Sequence, residues 1–384
     1  MTKKKIIRIT TVSGSLTTLL KGQMGYVSPH FDVITISSPD SFGRLEKLEK
    51  SEGVKSMVVP MTRKITPLKD LIAVYRLYKI MRREKPHIVH SHTPKAGTLG
   101  MLAAWIARVP NRLHTIAGLP LVEAEGFKRK LLIFVEKITY ACATKIYPNS
   151  YGLKDIILEE KIAKPSKLKI IGNGSSNGID TTHFDRKHFS ETERDVLRKK
   201  YNINKNDFVF VFVGRLVKDK GINELISAFD ALNKKHDNLK LLLVGGYEKQ
   251  LDPLLPETTT IIESNPNIIE TGWADDVRPY YTISNALAFP SYREGFPNVV
   301  MQACAMELAS IVTDINGCNE VITQDENGFI IPKKDREALY NAMEHIVLNQ
   351  EGLKNMGQRS REIVIKKYEQ KFVWKSILEE YNQL

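Results

Sequence analysis

The 384-residue chain is 26% charged and 42% hydrophobic, which excludes a disordered polymer and leaves room for two domains with full cores. Its three cysteines form no paired framework and no metal-ligand spacing, so a disulfide scaffold and a zinc module are excluded and a reducing cytoplasm is the natural compartment. Charge is unevenly placed: residues 1–185 carry 30 Lys and Arg against 15 Asp and Glu, and the rest carry 26 against 29.

The basic first half points to an anionic partner, either a membrane surface, a lipid diphosphate or nucleic acid. A merely soluble basic face is the bland alternative. Nucleic acid is set aside, because no binding motif is present and no aromatic stripe interleaves the cations. No apolar stretch is long enough to span a bilayer. The start, MTKKKIIRITTVSGS, breaks quickly into Thr, Ser and Gly and reads as a first strand rather than a signal peptide.

In chain order, apolar and β-branched runs predict strands at 6–12, 32–37, 54–59, 87–90, 112–115, 144–147 and 168–171. Helical patterns lie between them at 68–83, 95–108 and 128–143. After GNGSSNGIDTTHF, rich in turn residues, the scheme repeats. Strands are expected at 208–213, 239–244, 268–271, 286–289, 310–313 and 329–331, and helices at 222–235, 276–284, 297–306 and 336–348. Residues 361–384 read as one or two further helices. Such alternation implies βαβ units and two mainly parallel α/β domains. Facing each other, these would form a deep cleft, with ligands at the carboxyl ends of the strands.

Two strand-to-helix junctions carry the chemistry. In VFVGRLVKDKG, Gly214, Arg215, Lys220 and Gly221 follow an apolar strand. Arg215 suits bidentate phosphate contact, and Lys220 adds a compact charge. Two solvated cations at a surface turn are the alternative. In SYREGFPNVVMQACA, Glu294 and Gly295 precede a helix begun by Pro297, whose first amides and dipole favour an anion. Glu294 suits either sugar hydroxyls or positive charge on an anomeric carbon, unless it only caps its own helix. Gln302, two turns on, could pair with vicinal hydroxyls or be a plain surface residue. The lone histidines His90, His92 and His114 read first as satisfied core residues on residue type alone. Lys128, Arg129 and Lys130 open a helix with an apolar body, which suits either a membrane interface or an ordinary core.

At these residues the chain resembles the retaining family-4 glycosyltransferases of the GT-B type. The likeness runs through the Gly14 loop, PHIVHSHTPKAG, SSNGID, GRLVKDKG, the acidic junction, INGCNEVI and NGFIIP. It is nearest to bacterial enzymes that build surface polysaccharides on undecaprenyl diphosphate, such as the diacetylbacillosaminyl-diphospho-undecaprenol α-1,3-N-acetylgalactosaminyltransferases. The resemblance implies two Rossmann-like domains. Residues 1–185 would bind the acceptor and 186–365 the nucleotide sugar, with 366–384 returning to the first domain.

It also implies roles. Arg215 and Lys220 would hold the donor diphosphate beside Gly214, and Glu294 would lie near the donor sugar. Gly295, Phe296, Pro297, Asn298 and Val299 would approach its phosphate or sugar. Gln302 stands where the family has a ribose-binding Glu, a departure that removes a charge. Trp273 and Ala274 would flank the base, His114 would reach toward the donor sugar, and Gly14 would let backbone approach phosphate and acceptor. The implied activity is transfer of a hexose or N-acetylhexosamine, UDP-linked, to a lipid-linked or polysaccharide acceptor at the inner face of the cell membrane. The expected cofactor is none: there is no Asp-x-Asp to hold a metal on the diphosphate. A GT-B 2-epimerase is the rival, but it needs an acid–base pair where only one acid is found.

Overall fold

In the computed structural model, residues 3–248, 250 and 252–384 are described. They divide into two units, one formed by the chain up to Gly178 with Gln370–Leu384, the other by Ile179–Glu369.

The first unit is a six-stranded sheet of β1 (Lys5–Val12), β2 (Asp32–Ser38), β3 (Lys55–Val58), β4 (Ile88–His92), β5 (Asn111–Ile116) and β6 (Lys145–Pro148). All pairs are parallel, and the order is β3-β2-β1-β4-β5-β6. Parallel strands covered on both faces read as continuous apolar runs. In β1, Ile7 and Ile9 join a core under helices Pro67–Glu84, Pro94–Ile106 and Gly126–Cys142, while Ile6 faces the opposite core. That second core is closed by helix Gln370–Asn382, which contributes Val373, Ile377 and Tyr381.

The second unit repeats the plan with β7 (Phe208–Val213), β8 (Leu239–Val244), β9 (Ile268–Gly272), β10 (Ala286–Phe289), β11 (Ala309–Thr313) and β12 (Gly328–Ile331). Their order, β12-β11-β10-β7-β8-β9, is again all parallel. Every residue of β7, FVFVFV, is buried. The chain runs outward from β7 through β8 to β9, then returns to lay β10 against the other side of β7, with Ala286 opposite Phe210. Between β7 and β10 the winding direction reverses, and open α/β sheets bind ligands at such a point.

The expected α/β organisation is therefore present, with differences of detail. Residues 168–171 form no strand, only a single bridge from Leu168 to Ile146. Gly172 and Gly174 follow with φ of 58° and 95°, and the backbone turns away before a ladder can extend. The acidic-junction helix starts at Asn298, with Pro297 as its N-cap. The final segment is two helices, Gln350–Tyr368 and Gln370–Asn382, interrupted where Glu369 bridges to Ile179.

Candidate active site

At the reversal point of the second unit, the two junctions meet. After β7 the backbone passes Gly214 at φ 149° and enters the Arg215–Gly221 loop. Gly221 has φ 71°, and a Cβ there would lie 2.0 Å from the carbonyl oxygen of Pro290. The cationic turn is thus pressed directly against the exit of β10, a contact only glycine permits.

That contact brings Lys220 to Glu294. The Lys220 ammonium pairs with Glu294 Oε1, and both side chains are 16% exposed. The buried Ser291 hydroxyl donates to the same oxygen at 2.9 Å. Lys220 Nζ also lies 5.5 Å from the centre of the Phe289 ring. A third strand end joins the site. Thr313 Oγ1, at the end of β11, donates to the Ser291 carbonyl, and Asn316 Nδ2 donates to the carbonyls of Glu294 and Gly295. Gly317, with φ 80°, lets this loop approach; a Cβ would sit 2.6 Å from the Gly295 oxygen. Cys318 is buried beneath the pair; burial pushes its thiol well above the usual range, and nearby Glu294 adds to this.

A second layer of contacts sets the loop. Arg293 Nη2 is 2.6 Å from Asp219 Oδ2, Tyr292 donates its amide to the Asp219 carbonyl, and the Asp219 amide donates to Asp252. Arg215, nearly half exposed, pairs with Glu248 at 2.5 Å, so its guanidinium is at the surface of the site with a carboxylate beside it.

Helix Asn298–Ala305 has no side-chain cap and no acid in its first turn. Its leading amides, at Asn298 and Val299, are half-buried next to Glu294 in sequence and carry the positive end of the dipole. Gln302 lies deeper, its Oε1 3.4 Å from the hydroxyl of buried Tyr281. Gly295 and Pro297 are buried in the loop, and the Phe296 ring packs on Tyr368 at 5.0 Å, which makes its side chain a core anchor. Trp273 and Ala274 follow β9, two strands from β7. Trp273 is 77% exposed, with its indole N–H toward Asp275, and Ala274 is half-buried against the core.

His114 and Gly14 belong to the first unit. His114 is not at a strand end: it is inside β5, buried, with its ring under helix Pro94–Ile106, Nδ1 2.9 Å from Ser91 Oγ. A Cβ on Gly97 would lie 2.4 Å from the ring, so the helix has glycine there to admit the histidine. Burial lowers its pKa to about 4. This location suits a core histidine better than a hand on the donor sugar. His90 and His92 face the opposite core, in a network with buried Arg8: His92 Nε2 is 2.7 Å from Arg8 Nη2, and His90 Nδ1 is 2.6 Å from Tyr381 Oη. Both are held well below the usual imidazole range, first by burial and then by neighbouring positive groups. Gly14 precedes the turn Ser15–Leu19 with φ −55°, a conformation open to any residue, and only Arg44 comes within 4 Å of a Cβ there.

Sequence reasoning missed Ser291, Thr313, Asn316 and Asp219. The Asn316–Gly317 turn dipeptide was the available signal.

Residues 193–363 match the family model described as "Glycosyl transferases group 1", and residues 27–174 match "Glycosyl transferase 4-like domain". The chain is 34% identical over 384 residues to the capsular polysaccharide biosynthesis glycosyltransferase CapM of Staphylococcus aureus, covering 100% of this chain and 98% of that protein. The chain belongs to the family-4 GT-B glycosyltransferases. This glycosyltransferase is also 30% identical over 300 residues to the Escherichia coli UDP-Gal:alpha-D-GlcNAc-diphosphoundecaprenol alpha-1,3-galactosyltransferase, covering 76% of this chain and 74% of that one. With the Campylobacter jejuni N,N'-diacetylbacillosaminyl-diphospho-undecaprenol alpha-1,3-N-acetylgalactosaminyltransferase it shares 25% identity over 295 residues, 75% of each chain. Among solved structures, Anabaena Alr3699/HepE in complex with UDP and glucose superposes with a TM-score of 0.83 at 17% identity, covering 99% of this chain and 100% of that one, a likeness of fold.

Proposed function

We propose that this glycosyltransferase moves a hexose or N-acetylhexosamine from a UDP-linked donor to a lipid-linked glycan acceptor in surface-polysaccharide synthesis, with retention at the anomeric carbon. The observation that carries the reading is the Lys220–Glu294 pair at the β7–β10 reversal, beside the uncapped start of helix Asn298–Ala305. The relatives named for capsule synthesis and for diphosphoundecaprenol acceptors support the substrate class.

In the reaction, the bond between the anomeric carbon and the β-phosphate oxygen breaks, and a bond to the acceptor oxygen forms. The departing diphosphate gains negative charge. Lys220, Arg215 and the first amides at Asn298 and Val299 neutralise it, so preorganised protein charge does the work of a metal and no cofactor is required. Glu294 is already engaged by Lys220 and Ser291, which suits it to stabilising positive charge at the anomeric carbon rather than to nucleophilic attack. The acceptor hydroxyl then passes its proton to the leaving phosphate oxygen on the same face. Phe296 acts through its backbone, and His114 through packing beneath its helix.

The enzyme works at a membrane surface. Helix Gly126–Cys142 exposes Phe127 and Phe134 next to Lys128 and Lys130, an apolar face with a cationic start. Among the described residues no helix is long and apolar enough to cross a membrane.

The test is a thermal-shift panel of UDP-, GDP- and dTDP-sugars, repeated with Lys220→Ala and Arg215→Ala, followed by NMR of the product. A UDP-sugar-specific shift, lost in both variants, and a retained anomeric configuration are expected. No shift with any nucleotide sugar, or an inverted product, refutes the reading. A donor converted to its C2 epimer with UDP still attached, and no acceptor-dependent UDP release, points to the epimerase.

A further inference from the structure

Arg215, Lys220 and Arg293 each face a carboxylate, and the three pairs differ in what else holds the acid. Glu294, opposite Lys220, also takes the Ser291 hydroxyl, and Asp219, opposite Arg293, has its backbone tied to Asp252 and Tyr292. Glu248 is different. Among the described residues its carboxylate has Arg215 as its one partner, at 2.5 Å. It has no part in the chemistry of the proposed reaction, yet it occupies the guanidinium assigned to the donor diphosphate.

The backbone fixes Glu248 in this place. The residue lies in the loop after β8, and that loop is laid along the cationic turn after β7. Gly245 has φ 151°, and a Cβ there would stand 1.8 Å from the Gly214 carbonyl oxygen. The Leu216 amide donates to the Gly246 carbonyl at 2.9 Å, and Leu216 bridges to Tyr247. Tyr247 donates its hydroxyl to Glu270 of β9 at 2.5 Å, which pins the loop to the next strand. Farther along, Asp252 accepts from the Asp219 amide at 2.8 Å. The loop therefore keeps a carboxylate within reach of Arg215 even when the guanidinium turns to a ligand.

Charge decides what such a carboxylate does. In a nucleoside diphosphate sugar both phosphates are esterified, and the diphosphate carries two negative charges. Transfer of the sugar frees the terminal phosphate, whose second ionisation is at about 6, so the product carries close to three at pH 8. A carboxylate and a phosphate on two edges of one guanidinium are about 6 Å apart. There, each further unit of like charge costs about threefold in affinity even under the full screening of bulk water.

We infer that Glu248 is a product-release residue: it weakens the hold of Arg215 on the diphosphate, and weakens it more for the departing nucleoside diphosphate than for the nucleotide sugar. Glu248 acts through Arg215, so it is a positioning residue and not a catalytic one. The inference rests on the proposed UDP-linked donor and adds how the spent nucleotide is expelled.

The experiment is calorimetric titration of the full-length protein at pH 8 and low salt with UDP, UDP-galactose and UDP-N-acetylglucosamine. Wild type is compared with Glu248→Gln, Glu248→Asp and Glu270→Gln. The Glu248 side chain is 28% exposed and the amide has the same shape, so folding is spared. Glu248→Gln is expected to bind every ligand more tightly than wild type, with a gain for UDP about threefold or more above the gain for the sugar nucleotides. Glu248→Asp, which keeps the charge, is expected to retain the wild-type ratio. Glu270→Gln, which removes a charge from the next strand, is expected to leave that ratio unchanged. Weaker binding of UDP by Glu248→Gln means that the carboxylate only holds Arg215 in place, and overturns the inference. An equal gain for UDP and the sugar nucleotides, or the same change in Glu270→Gln, overturns it as well. If wild type binds UDP and a UDP-sugar but Glu248→Gln does not move their ratio, this inference falls and the donor reading stands. If wild type binds neither, both fall.

Discussion

Lys220 shares Glu294 with Ser291, and that arrangement decides what each substitution does. Glu294→Gln keeps an acceptor for the Ser291 hydroxyl and removes only the charge. If the carboxylate stabilises the anomeric carbon in the transition state, kcat falls about 10²- to 10³-fold while donor KM moves much less. Steady-state UDP release in the presence of acceptor checks this, and a loss confined to KM refutes it. Gly221 tests the junction itself. Gly221→Ala places a methyl 2.0 Å from the Pro290 oxygen at φ 71°, so the two loops must separate. We expect a destabilisation of about 3 kcal/mol or more, with loss of the nucleotide-dependent thermal shift. Gly352→Ala, in helix Gln350–Tyr368 with nothing within 4 Å of its Cβ, is the control and gains up to about 1 kcal/mol. Arg215, Lys220 and Glu294 were legible because each stands between an apolar run and a helix. Ser291, Thr313 and Asn316 were not, because they are ordinary polar residues at the ends of two strands distant in sequence, β10 and β11, and only the β10–β11 pairing joins them. The setting of His114 was hidden for a related reason: strand alternation gives two faces but does not say which one meets the glycine of a helix.

At the scale of elements, buried parallel strands announce themselves, since burial on both faces removes the polar alternation and leaves runs such as FVFVFV. Short surface helices do not. Glu191–Lys200 buries no residue, so its sequence ETERDVLRKK has no apolar stripe to find; its capping box, Ser190 with Glu193, was the one local sign. Helix Gln370–Asn382 was legible as a helix, but not in its contacts. Trp374 packs on Tyr26 at 5.3 Å, its Nε1 donates to Asn177 at 2.6 Å, and Gly22 leaves room for its ring. From the same helix, Tyr381 reaches Arg8 and His90. Trp374→Ala therefore opens a void and frees one side of this lid. A loss of about 3 kcal/mol is expected, read as a lower urea midpoint. Trp374→Phe, which keeps the ring packing but not the hydrogen bond, should recover more than half. Equal losses in the two variants would assign the stability to the Asn177 bond instead.

For the molecule as a whole, the unusual feature is how many titratable groups the first unit buries. Unfolded, a histidine takes up a proton near 6.5, whereas folded His114 resists until about 4, and His90 and His92 are likewise held well below 6.5. Their stability is fully present above 6.5 and is lost as pH falls toward 4, at about 1.4 kcal/mol per pH unit for each histidine. Glu136, inside helix Gly126–Cys142, acts in the opposite direction. Burial raises its carboxyl from 4.5 to about 7. Its contribution is fully present below 4.5 and disappears as pH rises to 7, a cost on the order of 3 kcal/mol. The first unit is thus squeezed from both sides. Glu136→Gln removes one side of the squeeze: its melting temperature should equal that of wild type near pH 5, rise above it progressively up to pH 7.5, and keep a constant advantage beyond pH 8. The acid limb, set by the histidines, should be unchanged by this substitution, because between 6.5 and 4 the unfolded chain still gains their protons and the folded chain does not. Calorimetric melts of both proteins from pH 5 to 9 decide the matter. Parallel curves over the whole range would mean that the carboxyl reaches water in the folded state, and the burial of Glu136 would then not be the source of its strain.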